Sequence, residues 1–302
     1  QANRTLSFVT GQVDITGSDV TPAVEKDIRS QVPKAVCETY ASAGSSHILI
    51  NHKAPPLQDA RVRQALNMAV DKQAIVKEYY GGNADLFGYP QHPDYIGYYE
   101  PLEAMPNAVK ELFTYNPEKA KKLLAEAGYP KGFSFKVQVC ACVPDHMELL
   151  PLVASYLEKV GVKLEIVPLE YGAFLSAMTT KTNTPGYLMG NGHTNPTTTI
   201  RKSFVKGQVW NPSQWNDETY AAKMAEIYQE RDEQKRQRLV KLLTRDILEK
   251  APYIWLPTPY IFSAWWPWVK NYGGELRAGA VRPGPIYARI WVDQAMKKKM
   301  GF

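Results

Sequence analysis

Cys140 and Cys142 are the residues of this 302-residue chain best placed, by type and spacing, to do chemistry. They stand two apart at the end of an alternating stretch. On a strand both would point to one face, the face shared with Lys136 and Gln138. Such a pair can close a disulfide, hold a thiophilic metal or remain as thiols. Residues i and i+2 of an extended strand lie about 6.5–7 Å apart, at roughly 3.3 Å per residue, which is the edge of disulfide reach. A metal would need two further ligands, and His146 is the nearest candidate in sequence. The spacing therefore favours free or weakly paired thiols, then a disulfide, then a metal. Cys37 makes the cysteine count odd.

The remaining signals for reaction chemistry are negative. His47, His52, His92, His146 and His193 show no helical two-histidine spacing of the zinc-protease kind. No Gly-x-Ser-x-Gly elbow, phosphate loop or dinucleotide fingerprint occurs. The carboxylates stand mostly at helix starts, where capping and the helix dipole account for them. Nothing here supports an enzyme, and no cofactor or metal is expected. What does suit a ligand is the polar segment 184–216, TPGYLMGNGHTNPTTTIRKSFVKGQVWNPSQWN. It offers Asn191, His193, Thr194 and Asn195, then Trp210, Trp215 and Asn216. Neutral donors beside tryptophan faces fit an uncharged polar ligand such as a sugar, or a peptide backbone. The plainer alternative is that Trp210 and Trp215 only wall this loop against the core.

The elements that must position these residues are legible from caps and periodicity. Asp59 can cap a helix with the stripe Val62, Ala65, Leu66 and Ala69, and Asp71 a second with Ala74, Ile75 and Tyr79, closed by Gly81. Asn116 and Pro117 open a helix striped by Ala120, Leu123, Leu124 and Ala127 and stopped by Gly128. Phe133–Val139 alternates as a half-buried strand. Asp145 and Glu148 resemble a capping box for a helix through Val160, and Val162–Leu169 is the next strand. That is a βαβ unit, hence a locally parallel sheet. Ser45–Asn51 reads as a buried strand. Asn216 or Asp217 can cap a helix holding Tyr220, Met224 and Ile227, and Asp232 another through Leu248. Tyr253–Leu256, Tyr260–Phe262 and Ile286–Val292 read as strands. Nearer the start, Asp19 or Thr21 can cap a helix over Ala23–Ser30, and a strand falls within Val32 to Tyr40. Between Tyr79 and Phe113, glycines and prolines are too dense for long elements. The aromatics there (Tyr79, Tyr80, Phe87, Tyr89, Tyr95, Tyr98 and Tyr99) either line a groove or pin the loop to the core.

Apolar residues make up 44% and charged residues 22% of the chain, the balance of a soluble globular protein. The net charge of +6 is spread along the sequence and forms no clustered patch of the kind nucleic acid requires. No window approaches the roughly 18 apolar residues of a membrane span. The chain opens on Gln1 without a charged start and apolar signal core, so it reads as a processed product or a piece of something longer.

Two stretches carry a family resemblance. Pro55-Pro56-Leu57-x-Asp59-x-Arg61-Val62-Arg63-Gln64-Ala65-Leu66, followed by Ala69-Val70-Asp71-Lys72-x-x-Ile75-Val76, resembles the family 5 extracellular solute-binding proteins. These are the oligopeptide- and dipeptide-binding proteins of bacterial ABC importers. Tyr115-Asn116-Pro117-Glu118-Lys119-Ala120-Lys121, running on to Gly128-Tyr129, is similar to a second segment of that family, and Gly11–Ile15 to a third. The resemblance implies an α/β, periplasmic-binding-protein-like fold (type II, cluster C), with a mixed sheet, flanking helices and incomplete remnants of the other lobe. It divides the chain into residues 1–51 from the first lobe, 52–256 as the second, ligand-binding lobe, and 257–302 returning to the first. The motif near Pro55 falls at mid-chain in the family, so the sequence is expected to be the C-terminal part of such a protein.

The implied function is solute capture by hinge closure and delivery to the permease, in a periplasmic or extracytoplasmic setting. The implied protein is a monomer, held at the membrane only by a lipid anchor or by the permease. Peptide-binding relatives resemble Trp-x-x-Asp-x-x-x-Pro in the loop at issue, the Asp pairing with the peptide ammonium. Anchored on Pro196, those positions are Met189 and Gly192. A buried unpaired ammonium costs several kcal/mol, so free-amine peptides would need a carboxylate from elsewhere. The expected ligand-binding residues are Gly190, Asn191, Gly192, His193, Asn195, Trp210, Trp215, Asn216 and, near the hinge, Tyr260. An oligosaccharide is the alternative cargo, and a hydrolase on the same scaffold the alternative of another class.

Overall fold

The structure is a computed structural model that describes residues 2–16, 22–42, 44–181, 185–192, 195–275 and 284–302. In chain order come α1 (Ala2–Val9), α2 (Pro22–Gln31), β1 (Val36–Ala41), β2 (Gly44–Ile50) and α3 (Ala60–Ala69). Then α4 (Lys72–Ala74) widens into a π-turn over Ile75–Tyr79, before β3 (Ala84–Asp85), α5 (Asn107–Leu112) and α6 (Pro117–Glu126). The middle runs β4 (Phe133–Cys140), α7 (Pro144–Glu158), β5 (Val162–Leu169), α8 (Tyr171–Thr180), β6 (Gly186–Gly192) and α9 (Pro196–Phe204). Last are α10 (Glu218–Gln229), α11 (Glu233–Lys250), β7 (Tyr253–Ile254), β8 (Thr258–Trp265), β9 (Val269–Lys270), α12 (Gly284–Tyr287), β10 (Trp291–Val292) and α13 (Gln294–Lys299). The chain divides into two units, residues 44–258 and residues 1–43 with 259–302.

The larger unit is built on a five-stranded sheet ordered β5-β4-β6-β2-β7. β4 runs parallel to both β5 and β6, whereas β2 is antiparallel to β6 and β7. The sheet is therefore mixed, and the βαβ unit β4-α7-β5 sits at one end as read from periodicity. The parallel strands begin in close contact. A Cβ on Gly132 (φ +74) would stand 1.8 Å from the Gly161 carbonyl oxygen, so only glycine fits.

The family stretch proves to be a clamp. Asp59 caps α3 by accepting from the Arg61 N–H (2.8 Å), and Asp71 accepts from the Ala74 N–H (2.9 Å). Buried Arg63 donates to four carbonyls, those of Leu57 (3.1 Å), Gln58 (2.8 Å), Lys250 (3.0 Å) and Ala251 (3.0 Å). It thereby seals the carboxyl end of α11, where a cation is favoured. Asn67 donates to the Tyr253 carbonyl (2.9 Å) and accepts from the Trp255 N–H (2.9 Å), stitching α3 to the strand at β7.

Three expectations need correcting. Asp145 does not cap α7: Val143 holds the cap position without a side-chain bond. The Asp145 carboxylate instead accepts from the hydroxyls of Tyr79 (3.0 Å) and Tyr80 (3.4 Å). With Phe87 and Tyr89 buried in the core, the aromatics of this segment pin it down. Residues 184–216 are not all loop, since Gly186–Gly192 pairs with β2 along its whole length and Pro196–Phe204 is helical. Ile286 lies in α12, and only Trp291–Val292 forms a strand there. The caps proposed at Asp19 or Thr21 lie outside the described residues.

In the smaller unit β1 and β8 pair antiparallel, from Val36 opposite Trp265 to Ala41 opposite Tyr260. Its core stacks Trp266 on Trp268 at 4.3 Å between ring centroids. Asp14 accepts from the Trp268 indole N–H (2.7 Å) and from the Lys297 ammonium (2.8 Å), which ties Gly11–Ile15 to α13.

Candidate ligand site

Side chains alternate across a strand, and β2 uses that alternation to serve two environments. His47 points into an aromatic block, with ring centroids 4.7 Å from Tyr89, 5.4 Å from Trp255 and 6.3 Å from Tyr253. Its Nδ1 accepts from the Leu256 N–H at 3.1 Å. Burial pushes its pKa down to about 3, so the ring stays neutral. Ser46 faces the other way and meets His146 from the first turn of α7, with Oγ 2.7 Å from Nε2.

His146 opens onto a cleft of about 170 Å3. His146 is 7% exposed, and burial lowers its pKa. Nδ1 is itself buried and has no hydrogen-bond partner among the described residues. Opposite Ser46 in register lies Gly190, where an added Cβ would approach Ser46 Oγ at 3.8 Å. Met189 and the α8 side chains Tyr171, Phe174, Leu175 and Met178 supply apolar walls, and Trp210 stands at the rim. Trp210 is 44% exposed, leaving its face open to an incoming group.

Cys140 and Cys142 line the same cleft and are joined by a disulfide. This overturns the preference for free thiols. The chain leaves strand geometry at Ala141, so the two Cα atoms are 5.2 Å apart instead of at extended spacing. The bond pins the link from β4 to α7 beside His146. Cys37 is the free cysteine. Among the described residues no group of three His, Cys, Asp or Glu is placed to hold a metal ion.

The other expected ligand residues fall in several places. Asn191 and Gly192 continue β6 with their backbones opposite Ser45 and Gly44. His193 lies outside the described residues. Asn195 caps α9 by accepting from the Thr198 N–H (2.7 Å) and borders a separate hollow of about 270 Å3 with Tyr98, Tyr228 and Arg236. Trp215 is buried in the core, edge-on to Tyr220 at 5.0 Å, so for this residue the walling role holds. Asn216 is exposed and shares a third hollow with Trp215. Tyr260 belongs to the smaller unit, half-buried on β8. The cleft thus gathers Gly190 and Trp210 from the expected set and adds His146, which Ser46 holds from behind, and the α8 wall. That wall was readable: Tyr171, Phe174, Leu175 and Met178 recur at helical spacing.

An α/β unit on a mixed sheet with a polar-floored, aromatic-rimmed cleft is the architecture of a type II periplasmic-binding-protein-like lobe. Residues 1–230 match the sequence profile of the bacterial extracellular solute-binding proteins, family 5 Middle, and the chain belongs to that family. It is 29% identical over 247 residues to heme-binding protein A of Haemophilus influenzae, covering 80% of this chain and 44% of that protein. With the periplasmic oligopeptide-binding protein OppA of Escherichia coli it shares 26% identity over 279 residues, covering 89% and 49% of the two chains. The solved structure of HbpA2 from Haemophilus parasuis superposes with a TM-score of 0.72 at 26% identity, over 89% of this chain and 52% of that one. The chain spans about half the length of the curated relatives it matches. No helix among the described residues is long and apolar enough to cross a membrane.

Proposed function

We propose that the larger unit is the second lobe of a solute-binding subunit of an ABC importer, and that the cleft at Gly190 is its cargo surface. The smaller unit would then be part of the first lobe. The complete protein would close around solute outside the cytoplasm and hand it to the permease, with no covalent step. It would act as a monomer, held at the membrane by a lipid anchor or by the permease alone. The observation that carries this reading is the convergence of Gly190, Trp210 and the apolar α8 wall on one cleft. An open glycine lets a ligand backbone approach β6, and the α8 wall seats an apolar group.

Relatives named for oligopeptide and heme binding support a solute of that kind as cargo. Peptide is the first reading. Gly192, at the position where the sequence resemblance leads one to expect a carboxylate, favours cargo without a free ammonium, such as a blocked peptide or an oligosaccharide. Calorimetric titration of the complete two-lobed protein with free-amine peptides, N-acetylated peptides and oligosaccharides tests this. Binding should survive acetylation, and Gly190→Leu should weaken it by about tenfold or more without changing the circular dichroism. Binding indifferent to Gly190→Leu would move the cargo site elsewhere.

A further inference from the structure

Lys53, Lys181 and Lys206 come from three separate parts of the larger unit and line one hollow of about 320 Å3. Lys53 follows β2, Lys181 closes α8, and Lys206 follows α9. No carboxylate lines this hollow, and among the described residues none of the three ammonium groups has a carboxylate within ion-pair distance. Asp217, next in sequence to Asn216 at the rim, is taken by Lys250, which also pairs with Asp246. Three lysines therefore line one hollow without a carboxylate partner among the described residues.

The walls are fixed in place. Buried Asn211 donates to the carbonyls of Val205 (3.2 Å) and Trp215 (3.0 Å) and accepts from Ser213 Oγ (2.6 Å), holding the turn that carries Lys206. Lys181 is held in the left-handed conformation (φ 56°) that closes α8, its N–H bonded to the carbonyls of Ala177 and Met178. The side-chain amides of Gln214 and Asn216 add neutral donors to the same rim.

We propose that this hollow is a second binding site, selective for a small polyanion bearing two or more phosphate or carboxylate groups. It lies apart from the cargo cleft. Ser46 pairs with Gly190 at one end of β2, while Lys53 lies beyond Ile50, which pairs with Gly186 at the other. Four strand residues separate those pairs by about 13 Å. The proposal goes beyond solute transport and does not rest on it, because both probes can be titrated whether or not the cleft takes cargo.

The test is calorimetric titration of the 302-residue chain with inorganic pyrophosphate and, in a second arm, citrate, which separates phosphate from carboxylate preference. One site should be seen, weakening as salt rises from about 20 to about 200 mM, as screening of exposed charges requires. Lys53→Gln and Lys206→Gln should each weaken the better probe about two- to fivefold, the range of an exposed ion pair. The triple variant with Lys181→Gln should weaken it by about tenfold or more. Should Lys181→Gln unfold the chain, the double variant carries the test. Absence of binding by both probes at millimolar concentration, or affinity unchanged in the folded multiple variant, overturns the proposal.

Discussion

Acidification from pH 7.5 to 5.0 should remove about 2 kcal/mol of stability through His47 alone. The ring is 2% exposed, walled by Tyr89, Tyr253 and Trp255, with Nδ1 occupied by the Leu256 N–H. Burial lowers its pKa from 6.5 to about 3. The unfolded chain therefore binds a proton as pH falls through about 6.5, while the folded chain declines it until about 3. Stability contributed by the neutral ring is complete above about pH 7 and drains away across that window. At pH 5.0 the unfolded ring is about 97% charged, and linkage converts this to about 2 kcal/mol. Burial lowers the pKa of His146 as well, so its contribution has the same sign. Urea denaturation at the two pH values measures the total. His47→Asn separates the share of this residue, since the amide oxygen can accept from Leu256 but does not titrate. The variant should be less stable at pH 7.5 and should lose about 2 kcal/mol of the pH dependence. A variant with the full pH dependence of the unsubstituted protein would refute the assignment.

Two further substitutions probe the frame. Gly132→Ala should cost about 3 kcal/mol or more, because a Cβ 1.8 Å from the Gly161 oxygen forces apart the starts of two parallel strands. A thermal midpoint within a degree or two of the unsubstituted protein would contradict that. Arg63→Met strands four carbonyls at the junction of α3 and α11 and should cost about 3 kcal/mol or more. Arg63→Lys, with fewer donors, should fall between, as read by denaturant midpoint.

Most of the frame was legible because it is local. Asp59, Asn116, Asp217 and Asp232 cap the helices their spacing announced. The βαβ unit followed from alternation, then helical stripe, then alternation. Errors arose where a tertiary partner outbid a local pattern. Asp145 had the look of a cap, but two tyrosine hydroxyls some sixty-five residues earlier claim its carboxylate. Gly186–Gly192 looked like loop because its flanking glycines and proline hide a strand whose partner, β2, lies far back in the chain. The disulfide was undervalued by treating Cys140 to Cys142 as one extended segment, although the strand ends between them. The expected ligand residues followed sequence proximity, whereas β6, α9 and the turns after it send Gly190, Asn195 and Trp215 to different surroundings. His146 was visible only as a potential metal ligand. Its placement beside the cleft depends on Ser46, one hundred residues away, whose hydroxyl meets its Nε2.

The larger unit is entered at Gly44 and left at Thr258, and the hydroxyls of Ser45 and Thr258 stand 2.8 Å apart. Both doors of this module open onto the same threshold. Two hundred or so residues can therefore be lengthened, traded between relatives or rejoined head to tail as a cassette, with the remainder of the polypeptide reading across the gap.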